Sequence, residues 1–135
     1  MAVAEVDAGW SASAVKNRMI LGRERGRRLE PALSLLVKLR GEDLTKDPVP
    51  CAFADKVLGL AAFRLACLLG ARAVYGELAS SMAVDEGRLR GIPVLYHRVV
   101  PAIINVRRDG LCPMEHLAFR SESDYEFYLA LRRRD

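Results

Sequence analysis

The chain has 135 residues, 51% of them hydrophobic and 28% charged, with a formal net charge of +4. That length suits one domain with a real core, and the longest apolar stretch, Val57 to Leu69, is broken by Arg64 and falls short of the roughly 20 residues a membrane span needs. The positive balance is too modest to indicate nucleic acid as a partner, and cysteines at 51, 67 and 112 with no C-x-x-C pair point to free thiols instead of a disulfide framework.

The N-terminus carries Glu5 and Asp7 where a secretory signal would be basic and then apolar, so a cytoplasmic protein is expected. Ser11 to Val15 is small and β-compatible, Lys16-Asn17-Arg18 can turn, and Met19 to Arg25 opens apolar before becoming charged. This predicts a hairpin whose second strand lies toward a sheet edge. Pro31 near the start and Gly41 past the end bracket Ala32, Leu33, Leu35, Leu36, Val37 and Leu39, an apolar stripe at helical spacing that predicts the first helix. Glu42 to Pro50 turns to Asp, Thr, Lys and Pro and reads as a loop. Ala52 to Leu69 is apolar on nearly every face apart from Asp55, Lys56 and Arg64, so it is expected to form a central helix covered almost all round and capped by Gly70. Ala73 to Leu78 follows as a strand, Ser80 or Ser81 opens a helix that stops by Gly87 or Gly91, and Ile92 to Val100 makes the next strand. Helix, strand, helix, strand in mid-chain favours a parallel pair in a layered α/β domain. Ser123-Asp124-Tyr125-Glu126 has the spacing of a capping box and introduces a terminal helix.

Polar chemistry concentrates between Pro101 and His116. Cys112 precedes Pro113, a residue suited to the first helical turn, which sets Cys112 at a helix start with Glu115 three and His116 four positions on. Amide donors and the helix dipole there favour a thiolate, and Arg107 and Arg108 add positive charge, so Cys112 is the candidate nucleophile. Glu115 is a candidate acid or base, although first turns also attract carboxylates for purely electrostatic reasons. His116 reads better as a solvated or core histidine. Asp55 and Lys56, at the expected N-terminus of the central helix, complete the set, with Lys56 able to anchor an anionic ligand at that helix end. Gly59 is expected to let another backbone approach closely. Cys67 and Cys51 read as packing residues, and Arg23, Arg25, Arg27 and Arg28 read as a charged strand edge that resists aggregation.

Three motifs stand in order along the chain: Ala54-Asp55-Lys56-Val57-Leu58-Gly59-Leu60-Ala61-Ala62, Val99-Val100-Pro101-Ala102-Ile103-Ile104-Asn105 and Leu111-Cys112-Pro113-Met114-Glu115. Together they resemble the domain-of-unknown-function family 1893 over about residues 9 to 120. The resemblance implies a cytidine-deaminase-like fold, an α/β/α arrangement of three layers with a mixed sheet of about 4–5 strands that begins with a hairpin. On that basis residues 1–8 form an N-terminal extension, 9–120 the α/β domain and 121–135 an added C-terminal helix. The chain departs from the family pattern in carrying Val106 and Arg107 between Asn105 and Arg108-Asp109-Gly110, and His116 after Glu115. Zinc deaminases place a His or Cys with a nearby Glu at one helix start and C-x-x-C at the next; here those positions hold Ala54-Asp55-Lys56 and Ser80-Ser81-Met82-Ala83. No zinc site and no other cofactor is therefore expected.

These features point to a protein that binds an anionic or nucleotide-like small molecule and could transform it with a thiol. Cys112, Glu115 and Asp55 are the candidate catalytic residues, and Lys56, Asn105, Arg107 and Arg108 the candidate ligand contacts. The alternative is a non-enzymatic module, either a homo-oligomer or a docking partner, with Tyr125, Phe127 and Tyr128 of the terminal helix as exposed apolar contacts. Neither a membrane nor nucleic acid is expected as a partner.

Overall fold

The predicted hairpin forms: β1 (Ala12–Lys16) and β2 (Met19–Glu24) pair antiparallel across Asn17 and Arg18, both left-handed at φ 50° and 66°. Two consecutive left-handed residues match the right-handed twist of a strand pair, and Asn tolerates that conformation better than most side chains. The structure, a computed structural model, describes residues 9–104 and 110–134. Helix α1 (Glu30–Arg40) follows with Pro31 in its first turn and Gly41 at its end, where the Gly41 N–H donates to the Val37 carbonyl at 2.7 Å. Arg40 then fastens the 41–50 loop by donating to the carbonyls of Leu44, Lys46 and Leu68.

The run from Ala52 to Leu69 is not one helix. Cys51–Leu58 is a strand, β3; Gly59 is extended; and only Leu60–Leu69 is helical, as α2. A continuous apolar run fits a strand buried between two neighbours as well as it fits a buried helix, and periodicity alone does not separate them. The glycine marks the division. The rest of the mid-chain follows expectation: β4 (Ala71–Ser80), α3 (Ser81–Arg90) capped by the Ser80 hydroxyl and stopped by Gly91, and β5 (Val94–Val100). Two further helices close the described chain, α4 (Pro113–Arg120) and α5 (Asp124–Arg133), the latter with Ser123 accepting from the Glu126 N–H at 3.1 Å.

The strands form a mixed sheet in the order β2-β1-β3-β4-β5, with β3, β4 and β5 parallel and β1 antiparallel to both its neighbours. Five strands with five helices among the described residues give the layered α/β class expected, with β2 at one edge. The main core joins Ala12, Ala14, Phe53 and Val74 of the sheet to Leu35 and Leu36 of α1, Phe63, Leu65 and Leu69 of α2, and Val84 of α3. Each of the Val, Leu and Phe side chains among them contributes about 1.5–3 kcal/mol by leaving water. A smaller cluster of Val15 and Ala54, with Ala52 and Tyr75, lies apart from this core.

Helices α4 and α5 contact α2. Phe127 and Tyr128 are buried and face this core, which corrects the expectation that they are exposed contacts; only Tyr125 of that trio is exposed. The reason is the amphipathic spacing of α5, which turns Phe127, Tyr128 and Leu131 inward. Asp124 locks the helix in place, accepting from Arg64 of α2 at 3.1 Å and from Arg90 of α3 at 2.6 and 2.9 Å. Among the described residues no helix is long and apolar enough to cross a membrane.

Candidate functional site

Because β3 is a strand, Asp55 and Lys56 stand near its C-terminal end instead of at a helix start, which corrects the placement expected from the sequence. Asp55 lies in register with Ala12 of antiparallel β1 on one side and Gly76 of parallel β4 on the other. The chain then leaves the sheet through Gly59 into α2. Carboxyl ends of strands at such a change of direction are where open α/β sheets leave room for ligands.

The second wall comes from the far end of the chain. The Cys112 N–H donates to the Ile103 carbonyl at 3.0 Å, Ile104 bridges to Leu111, and Cys112 is the N-cap residue of α4 with Pro113 in its first turn, as expected. From that turn Glu115 reaches across to α2. Its two oxygens accept from the amides of Leu60 at 2.8 Å and Ala61 at 2.7 Å. Gly59, the N-cap residue of α2, has no side chain to offer those amides, and a Cβ there would lie 2.2 Å from the Glu115 Oε1. Glu115 thus caps α2 from a distance, and the close approach that Gly59 permits is to a carboxylate instead of a backbone. Burial pushes its carboxyl above the usual range while the two amides pull it down, and burial has the larger effect.

Between these walls lies a cavity of about 670 Å³, lined by Asp55, Lys56, Cys112 and Glu115 and also by Ser11 and Arg28. Apolar surface from Leu29, Val57, Ile103 and Met114 makes up much of the remainder. That size and mixture suit a small organic ligand. Asp55 is 3% exposed; its Oδ1 accepts from the Val57 N–H at 3.2 Å, and its Oδ2 has no hydrogen-bond partner among the described residues. Desolvation raises this carboxyl to about 8, against the pull of backbone amides. Lys56 is exposed, and its amide donates to the Ser11 carbonyl at 2.9 Å.

The structure therefore brings four of the predicted site residues, Asp55, Lys56, Cys112 and Glu115, to one cavity. Asn105, Arg107 and Arg108 lie outside the described residues. His116 is exposed on α4 and does not line the cavity. Cys51 and Cys67 belong to the core or its margin, their thiols pushed up to about 11 and about 12 by burial. Two polar side chains among the lining residues, those of Arg28 and Ser11, are not signalled by the sequence. Arg28 groups in sequence with the edge arginines, but its left-handed backbone (φ 54°) separates it from the strand; Ser11, whose hydroxyl bridges Gly26, carries no local signal in sequence. Among the described residues no group of three or more His, Cys, Asp or Glu side chains could hold a metal ion.

Comparison with known proteins agrees with the architecture. Residues 12–134 match the model of a domain of unknown function, DUF1893, a span that includes α5. A DUF1893 family protein of known crystal structure from Thermotoga maritima superposes with a TM-score of 0.81 at 16% sequence identity, covering 98% of this chain and 86% of that one. At that identity the likeness speaks for the fold. No curated protein matches.

Proposed function

From a chain that belongs to the DUF1893 family, a domain of unknown function, we propose a protein that binds an anionic or nucleotide-like small molecule in the cavity at the end of β3. The observation that carries this reading is Asp55: a buried carboxyl oxygen without a partner among the described residues, in a cavity also lined by Lys56 and Arg28. Buried polar atoms almost always find a partner, so an orphan in a cavity of ligand size calls for one from outside. Lys56 and Arg28 supply charge to an anion, the apolar wall takes a flat or aliphatic body, and the half-buried Cys112 thiol lines the same space and can meet an electrophilic carbon of the ligand. A deaminase-like relation of the fold, without zinc chemistry, belongs to the same reading.

A thermal-shift screen of a metabolite library on wild type, Lys56→Ala and Cys112→Ala tests the reading, because a ligand stabilises only the state that binds it. Anionic compounds that raise the midpoint of wild type, with the rise cut sharply in Lys56→Ala, are the expected result. A library with no stabilising anion would sink the proposal.

A second reading, a module that pairs with another copy of itself, is favoured by the edge strand β5, where Leu95, Tyr96 and Val99 are 61%, 43% and 45% exposed. An unpaired edge with apolar side chains is a ready template for strand addition. Light scattering that finds only monomer at high concentration argues against it.

A further inference from the structure

The surroundings of Asp55 define more than the presence of a ligand. The side chain lies in a row with Ala12 and Glu24 on one side and Gly76 and Tyr96 on the other. Glu24 is engaged by Lys38 at 3.9 Å. From its own strand the neighbouring charge is Lys56; Arg28 comes from the turn before α1, and Cys112 and Glu115 come from α4. The first turn of α2, Leu60 to Phe63, brings no titratable group. Glu115 already spends both oxygens on amides, and among the described residues no Lys or Arg forms an ion pair with Asp55. With Oδ1 taken by an N–H donor, Oδ2 is the oxygen left to carry a proton, and among the described residues that oxygen has no acceptor.

On the reading that this cavity holds an anionic small molecule, we propose that Asp55 receives it as a neutral acid, donating a hydrogen bond from Oδ2 to a ligand oxygen. The ligand class is then an oxyanion, a carboxylate or a phosphate ester, and not an amine. An O–H···O⁻ bond of this kind is short and strong, and Lys56 and Arg28 balance the charge it brings in. Burial pushes this carboxyl up to about 8, which favours the protonated form at neutral pH. Once it ionises, two negative groups share one apolar site, and binding weakens. Linkage sets the form of the dependence: affinity is level below about 8 and falls toward tenfold per pH unit above it.

The probes are benzoate, phenyl phosphate and, as the cationic control, benzylamine, titrated calorimetrically into the full chain between about pH 6.5 and about 9.5, where benzoate and benzylamine charges change little except at the upper end. Benzoate, phenyl phosphate or both are expected to bind, the preference telling carboxylate from phosphate ester, and benzylamine is expected not to bind. Asp55→Asn, which keeps the shape and an N–H donor but cannot ionise, is expected to abolish the decline at high pH, whatever its affinity at neutral pH. The midpoint of that decline, whatever the affinity, is expected to stay in place in Cys112→Ala, which removes the other ionisable group at that wall. Carbon-detected NMR of the Asp55 carboxyl gives an independent readout: it titrates near 8 in the free protein and moves upward when benzoate is bound. Oxyanion binding that is flat with pH, that strengthens at high pH, or that declines equally in Asp55→Asn overturns the proton assignment and leaves the cavity reading standing. No oxyanion binding at any pH overturns both.

Discussion

Asp55 and Glu115 are buried to the same degree, each 3% exposed, and line the same cavity, yet their surroundings differ in kind. At the corner between α2 and α4, Glu115 finds two backbone amides and is consumed by holding a helix end. At the end of β3, Asp55 finds one amide for one oxygen and, among the described residues, nothing for the other. Burial alone would give both carboxylates the same importance. Counting their partners assigns one to the architecture and leaves the other for chemistry with something that arrives from solvent.

The sharpest way to break this contrast is Glu115→Ala, which strands two buried amides; a loss of about 3–5 kcal/mol in urea unfolding is expected, close to the cost of orphaning a buried charged hydrogen bond. An unfolding midpoint unchanged from wild type would mean that the cap does not hold α2. Gly59→Ala attacks the same corner from the other side. A Cβ 2.2 Å from a pinned carboxylate oxygen should cost about 2–3 kcal/mol, and because both changes strike one contact, the double variant with Glu115→Ala should be less than additive.

Asp55→Asn is expected to act in the opposite direction. The folded state raises this carboxyl from 3.8 to about 8, so the protonated form favours folding fully below the unfolded value, and that advantage is lost as pH climbs through about 8. The variant should therefore gain on wild type from about pH 4 to about 8, reaching on the order of 2 kcal/mol in denaturant melts, a deliberately discounted share of the 1.36 kcal/mol per unit that linkage allows. A gain that shrinks with rising pH would contradict the assignment. Arg88→Ala sets the baseline: its exposed pair with Asp85, at 3.9 Å, should be worth less than about 0.5 kcal/mol, and a larger change would call for rescaling the others.

Much of the fold could be read locally. The hairpin, α1, the Ser80 and Ser123 caps, the Gly91 stop and the Cys112-Pro113 helix start are each declared by residues within a turn or two of the feature they set. β3 escaped because its signal was absorbed into an apolar run with α2, and Gly59, the one mark of the division, was given another role. The site followed the same rule. The residue types that line the cavity, Cys112, Glu115, Asp55 and Lys56, were visible as unusual chemistry in their settings. That Glu115 would be spent on amides more than fifty positions away, or that Arg28 would come off the hairpin to join them, depends on tertiary approach, which no short window of sequence encodes.

The distant cap has a bearing on how this chain is born. Helix α2 ends at Leu69, but the side chain that seals its first turn is Glu115, so at roughly 5–20 residues per second a ribosome adds that carboxylate roughly 2–9 seconds after the helix is complete. During that interval the nascent domain carries its most apolar helix with two amides unclaimed, and it is then that a holding chaperone has the most to grip.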